Sequence, residues 1–228
     1  DNIEAFSKLA RLASQFNVKR FIYASSSSVY ENSTILPYTE SELLLQPSNP
    51  YPLSKWINEQ IGTFLNKVSN TEFVGLRFFS VYGPWGRPDM AYLRLISAAL
   101  NKTSFKLNGD GSVKRDFTYI DDVVHRIVNL IQNKNSLPGI LNIGGGNEVS
   151  ISDLVNLVEV STASKIEIEI RSSDKLDIPL TRASRELIDE YSGIQNFTPI
   201  ETGVQRTTQW FIDASKQHDT YKWFPSSL

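Results

Sequence analysis

Apolar residues recur at helical spacing from the start of the chain: Ile3, Phe6, Leu9, Ala10 and Ala13 share one side of a 3.6-residue period. The chain is therefore expected to open in an amphipathic helix. After Asn17-Val18-Lys19 comes a short apolar run, Arg20-Phe21-Ile22-Tyr23-Ala24, closed by Ser25, Ser26, Ser27 and Ser28. It is too short for a helix and predicts a buried strand. A polar, proline-punctuated loop runs to about Pro50. Residues 51–67 predict a second helix, with Tyr51, Lys55, Ile61 and Leu65 along related turns, and a strand follows over 72–79. Tyr82-Gly83-Pro84-Trp85-Gly86-Arg87-Pro88 reads as a loop.

Strands alternating with helices at this rhythm indicate a parallel α/β sheet. Beyond residue 90 the pattern predicts a helix over 90–101, strands near 104–107 and 116–119, and a helix over 121–133 carrying Val123, Val124, Ile127, Val128 and Ile131. A strand at 140–143 and a helix at 151–160 come next. Strand 165–171 alternates strictly, with Ile166, Ile168 and Ile170 on one side, which predicts half exposure. Two short helices and a polar tail close the chain. An α/β chain that begins in a helix reads as a fold entered midway.

Composition changes this picture little. The 228 residues are 40% hydrophobic and 21% charged, enough apolar material for a core and too little charge for a disordered chain. A net charge of −2 gives no reason to expect nucleic acid or an anionic membrane as partner. The absence of cysteine excludes disulfides, thiolate metal sites and a cysteine nucleophile, and suits a reducing cytoplasm. His125 and His218 have no ligand-like neighbours at useful spacing, so no metal site is expected. No apolar run approaches the ~20 residues that span a bilayer. The expectation is a soluble, cytoplasmic protein.

Two features carry chemistry. Tyr51 and Lys55 lie four residues apart, on one helix face. A phenol with a pKa near ~10 is a poor base at neutral pH, but a fixed cation nearby favours its phenolate, which can take a proton from a substrate hydroxyl. The same spacing also arises on an ordinary solvated helix face. The serines that follow the first strand sit where an open parallel sheet places its ligand crevice, and a hydroxyl there can hold a proton path in line. A turn rich in small polar residues is the plainer alternative.

The stretches Phe21-Ile22-Tyr23-Ala24-Ser25-Ser26-Ser27-Ser28-Val29-Tyr30, Pro37-Tyr38-Thr39-Glu40 and Ser48-Asn49-Pro50-Tyr51-Pro52-Leu53-Ser54-Lys55 together resemble the catalytic segment of the extended short-chain dehydrogenases, the NAD-dependent nucleotide-sugar epimerases and dehydratases. The resemblance runs from Asn2 to about Trp210. It implies the C-terminal portion of a Rossmann-type doubly wound parallel sheet plus a smaller α/β substrate-binding domain. Residues 1–90 would be the remainder of the NAD-binding domain with the catalytic residues. Residues 91–228 would mainly bind the nucleotide sugar, the chain crossing back to the sheet near 116–145. Ser26, Tyr51 and Lys55 would be catalytic. Asn2, Ala24, Ser25, Tyr51, Lys55 and Phe78 would contact NAD. Ser26, Ser27, Ser28, Ser80, Arg87, Arg115 and Asp177 would contact a UDP-sugar. The helices beginning near residues 2 and 51 would pair with a second copy in a homodimer.

Trp85-Gly86-Arg87-Pro88-Asp89-Met90-Ala91 resembles the UDP-glucuronate 4-epimerase branch, where Arg87 would face the sugar carboxylate; an arginine fork suits that charge. A surface arginine in a turn is the alternative. Gly109-Asp110-Gly111-Ser112-Val113-Lys114-Arg115-Asp116-Phe117-Thr118-Tyr119-Ile120-Asp121-Asp122 resembles the family's nucleotide-sugar segment, with Arg115 toward the diphosphate. Asp121 and Asp122 are expected to cap a helix. Neither Gly109-x-Gly111 nor Gly144-Gly145-Gly146 opens a βαβ unit, so neither is the dinucleotide fingerprint. The family's Gly-rich NAD loop precedes the matching segment, and residues 1–228 alone are expected to bind NAD weakly and to be inactive. Ser80 stands where most members carry Asn, Leu176 where they carry Gly, and Asp174 where they carry Arg. The function implied is C4 epimerisation of a UDP-sugar, glucuronate ahead of glucose, through a 4-keto intermediate. The alternatives are a 4,6-dehydratase, a decarboxylase or a non-catalytic nucleotide-sugar binder. Family dehydratases place Asp-Glu where this chain has Ser27 and Ser28.

Overall fold

The computed structural model describes residues 2–31, 33–42, 47, 49–172 and 178–217. Helix α1 (Asn2–Gln15) leads into strand β1 (Arg20–Ser26) and a one-turn 3₁₀ helix, Ser27–Tyr30. Helix α2 (Pro50–Val68) precedes strand β2 (Glu72–Phe78) and a short strand β3 (Ser80–Tyr82). Helix α3 (Ala91–Asn101), strands β4 (Ser104–Asn108) and β5 (Lys114–Tyr119) and helix α4 (Ile120–Gln132) follow. Strand β6 (Ile140–Ile143), strand β7 (Glu148–Ser150), helix α5 (Ile151–Thr162), strand β8 (Glu167–Arg171), helix α6 (Glu186–Ser192) and helix α7 (Ile200–Gln217) complete the order.

Three sheets result: parallel β1-β2-β6, mixed β3-β5-β7, and the parallel pair β4-β8. Successive residues of a strand face opposite sides. Along β2, Phe73 packs with Phe6, Ala10, Ala13 and Tyr23 beside α1 and α2. Val74 and Leu76 pack with Val123 and Leu130 of α4 and Ile188 of α6 on the other side. A further core joins α3, α5 and α7 to β4 and β5 around Tyr82, Leu95, Leu154 and Phe211. At Gly62 a β-carbon would lie 2.5 Å from the Tyr23 hydroxyl, so glycine is what lets α2 lie so close to β1.

Several expectations are corrected. The first strand extends to Ser26 and is only partly buried, with Ala24 open to solvent. The strand expected over 72–79 ends at Phe78 as β2, and after Phe79 the chain forms β3, which takes Tyr82 out of the expected loop. On α1, Ile3 and Leu9 lie outside the core, which takes Phe6, Ala10 and Ala13. On α4 the buried positions are Val123, Arg126 and Leu130, while Val124, Val128 and Ile131 are exposed. Ile170 of β8 is 74% exposed; among the described residues β8 pairs only with β4, at the rim. Of the last two helices only α6 is short; α7 spans 18 residues. Among the described residues no helix is long and apolar enough to cross a membrane.

Candidate active site

The carboxyl ends of β1 and β2 define the site. Register pairs Ser26 with Phe78 across them, and Ile143 of β6 lies beside Phe78. Crevices outside such strand ends are where open α/β sheets take their ligands. Ser26 ends its strand by capping the 3₁₀ turn: its Oγ accepts from the Ser28 N–H at 3.1 Å and lies 3.1 Å from Ser28 Oγ. Ser26 and Ser28 are thereby tied together, with Ser25 and Ser26 buried and Ser27 and Ser28 partly so.

Helix α2 delivers the phenol and the ammonium. Asn49 caps it, its Oδ1 accepting from the Tyr51 N–H at 3.2 Å, while Pro50 and Pro52 occupy a first turn that has no need of their missing donors. Tyr51 is 50% exposed, so its hydroxyl is reachable from outside. Lys55 Nζ donates to the Ala24 carbonyl at 3.1 Å and stands 5.9 Å from the Tyr51 ring centroid. One ammonium therefore joins the phenol-bearing helix to the strand that ends in Ser26. Its remaining protons, the exposed Ala24 and the half-buried Phe78 make a donor-and-apolar surface that fits the ribose and nicotinamide of a dinucleotide. Asn2 sits against the same helix, its amide 3.5 Å from Ser54 Oγ and its carbonyl accepting from Asn58.

The other candidates are less concentrated. Ser80 is in β3, opposite Phe117. The contacts of the Arg87 guanidinium are Asp89 at 3.3 Å and Met90 Sδ at 3.6 Å, in an exposed turn, so this structure does not join it to the serines. Arg115 donates to the carbonyls of Lys114 and Ile178 at 3.0 and 2.6 Å. Asp177, like Leu176 and Asp174, lies outside the described residues. Asp122 does not cap α4. It accepts from the Thr198 N–H at 2.8 Å and from its hydroxyl at 3.0 Å, tying α4 to the segment before α7, while Tyr119 occupies the cap position without a capping bond from its side chain. A cavity of about 440 Å³ lies elsewhere, between Thr118, Gly145, Glu148 and Phe197, and none of the sequence-predicted site residues lines it.

Sequence reasoning missed what stands behind the site. Glu59, Arg77, Tyr30 and Asn142 are all buried and mutually bonded. Burial pushes the Tyr30 phenol up to about 12 against the pull of Arg77. The available signal was Glu59's place eight residues after Tyr51, on the same face of α2.

Residues 1–144 match the NAD dependent epimerase/dehydratase family. Among curated proteins, UDP-glucuronate 4-epimerase 4 of Arabidopsis thaliana is 32% identical over 92% of this chain and 52% of its own length. The chain thus spans about half the length of this curated relative. Among solved structures, a UDP-glucuronic acid 4-epimerase from Bacillus cereus, in complex with UDP-glucuronic acid and NAD, superposes with a TM-score of 0.87 at 28% identity, over 93% of this chain and 69% of that one. TunA, an NAD-dependent NDP-hexosamine 5,6-dehydratase of tunicamycin biosynthesis, gives a TM-score of 0.85 at 29% identity over the same shares.

Proposed function

The chain belongs to the NAD-dependent epimerase/dehydratase family, and from that premise we propose that the whole protein epimerises a UDP-sugar at C4, UDP-glucuronate ahead of UDP-glucose. The observation that carries the reading is the Lys55 bridge, which links the exposed Tyr51 phenol to the strand end at Ser26. Tyr51 Oη takes the proton of the C4 hydroxyl and later returns it. Lys55 supplies the positive charge beside that phenol and two free donors for a ribose. Ser26, held by Ser28, orients the reacting hydroxyl. Asn2, Ala24, Ser25, Tyr51, Lys55 and Phe78 would hold NAD, which would supply the acceptor and donor for the C4 hydride.

In this reading residues 1–90 form the cofactor side with the catalytic groups, and residues 91–228 mainly bind the nucleotide sugar. Ser80 and Arg115 face the diphosphate, Asp177 belongs to the substrate-contacting set, and Arg87 leaves Asp89 to meet the sugar carboxylate together with Ser27 and Ser28. Two copies join through α1 and α2, in the cytoplasm. The likeness to TunA favours a dehydratase as the second reading. Against it, Ser27 and Ser28 offer hydroxyls where elimination of water calls for an acid.

Wild type, Tyr51→Phe and Arg87→Leu, assayed side by side on both UDP-sugars, test the proposal. Tyr51→Phe should lower turnover by a factor of about 10² to 10⁴ while leaving UDP-sugar affinity intact. Arg87→Leu should cost UDP-glucuronate roughly ten- to a hundredfold in kcat/KM, the worth of one charge-assisted hydrogen bond, and barely affect UDP-glucose. Near-normal turnover by Tyr51→Phe sinks the mechanism, and equal losses on both sugars remove the glucuronate preference. A product lighter by one water makes the protein a dehydratase.

A further inference from the structure

Glu59 stands one helical turn beyond Lys55 and two beyond Tyr51, so all three share one face of α2. Its carboxylate accepts from Arg77 Nε at 2.9 Å and Nη2 at 2.7 Å, and Ser25 Oγ of β1 donates to the same Oε1. The two charged side chains are 2% and 4% exposed. Arg77 Nη1 donates to the Tyr30 hydroxyl at 2.6 Å, and the guanidinium lies 4.7 Å from the Tyr30 ring centroid. That hydroxyl reaches Asn142 Oδ1 of β6 at 2.9 Å, and the Asn142 amide donates to the Tyr38 carbonyl. One run of hydrogen bonds therefore crosses from α2 to β2, the 3₁₀ turn and β6, and touches β1 one residue before Ser26.

Stability alone does not account for such a pair. Removing two charges from water is expensive, and well-packed apolar residues of similar volume often hold a core equally well or better. What apolar residues lack is direction. A bidentate guanidinium–carboxylate fork fixes distance and plane together. Here it fixes the rotation of α2 about its axis and its height over β1 and β2. Burial works against the Arg77 cation, but the bonds and charge of Glu59 more than offset it and hold the guanidinium protonated.

We propose that the Glu59–Arg77 pair is a positioning device for the reaction: it sets the register between the Ser26 strand end and the α2 face that carries Tyr51 and Lys55. The inference rests on the epimerase reading. Glu59 touches no substrate and acts through α2.

The test compares wild type with Glu59→Leu/Arg77→Met, which replaces the pair by apolar side chains, and with Glu59→Gln, which keeps its shape should the double variant fail to fold. Residues 1–228 contain no cysteine, so in the whole protein, with any cysteine outside them replaced by serine, Gln60→Cys on α2 and His125→Cys on α4, both exposed, take spin labels at those two sites alone. Thermal unfolding, kcat, KM and the label-to-label distance distribution are measured in each background. The expected result is a folded double variant whose kcat falls about 10- to 100-fold, the penalty of a misplaced reacting group, with KM within threefold and a shifted or broadened distance distribution. Glu59→Gln should move in the same direction by less. A folded variant with wild-type kcat, or with an unchanged distance distribution, overturns the proposal. Should wild type turn over neither UDP-sugar, the epimerase reading fails by itself, and the distance distribution still decides whether the pair sets the place of α2.

Discussion

Asp116 is wholly shielded from solvent, yet its oxygens accept from the N–H groups of Gly145 at 2.8 Å, Gly146 at 3.0 Å and Ala183 at 2.9 Å. It thereby knots β5 to the turn after β6 and to the segment before α6. Burial is the leading influence and pushes its carboxyl up to about 6, against the downward pull of those N–H groups. An unfolded aspartate titrates near ~4. Between these values the folded protein holds a proton that the unfolded chain releases. Asp116 therefore contributes most to stability at the acid end of the window, and that contribution is lost as pH rises through about 6, to the extent of about 3 kcal/mol. Asp116→Asn cannot titrate, and it sets an N–H₂ donor against backbone donors, at a cost of about 1–3 kcal/mol. Denaturant unfolding of both proteins from pH 4 to 7 should show the wild type losing stability relative to the variant as pH rises. Parallel profiles would refute this account. Pattern reading placed Asp116 inside a loop-and-strand motif but could not show its burial. Hydropathy treats a charge as a mark of the surface, which is also why Glu59, Arg77 and Arg126 were invisible to it.

Arg20 opens β1 but acts on a helix 110 residues away. Its guanidinium donates to the carbonyls of Leu130 at 2.6 Å, Asn133 at 2.8 Å and Asn135 at 2.7 Å, closing the carboxyl end of α4, and it also pairs with Glu72 at the start of β2. Helix ends leave carbonyls without partners, and a cation placed there satisfies them and complements the dipole. Arg20→Leu should therefore free the last turn of α4 and strand the partly buried Glu72. The expected cost is about 3 kcal/mol, which in a domain of this size lowers Tm by roughly 6–12 °C. Calorimetry measures it, and a shift under 2 °C would show that water replaces the arginine at no cost. The position of α4 itself was legible, since its apolar residues recur at helical spacing. Its buried face was not. Val124, Val128 and Ile131 fit the period as well as Val123 and Leu130, and only the packing of α6 and the sheet chooses between them. The split of β2 from β3 and the three-residue β7 escaped notice because pieces so short carry no period of their own.

At the scale of the whole molecule, the alternation of strand and helix was enough to give an α/β fold, and the Tyr51–Lys55 face was readable because four-residue spacing is a local property. How the strands divide among three sheets was not readable, since pairing joins residues as distant as Ser104 and Glu167. The surface left by that packing bears on assembly. Helices α1 and α2 lie side by side over β1 and β2; their outward faces carry Leu9 at 57% exposure, Leu12 at 42%, Phe64 at 61% and Val68 at 60%, and Phe16, in the turn just after α1, is 78% exposed. Single exposed apolar residues are ordinary, but four on two neighbouring helices and a fifth in the adjoining turn form a face that water covers poorly. A two-fold axis through this face would bring the same residues of two copies together, which is the self-complementary contact of a symmetric dimer. Leu12→Glu/Phe64→Glu places four carboxylates in such a contact, two from each copy. At about 2 kcal/mol for each anchor lost, the dissociation constant should rise at least a thousandfold. Sedimentation equilibrium should find the wild type at twice its chain mass and the double variant at the monomer mass, with helical circular dichroism unchanged. A wild type that stays monomeric at high micromolar concentration, or a double variant that still dimerises, would mean that this apolar face does not join two copies of the chain.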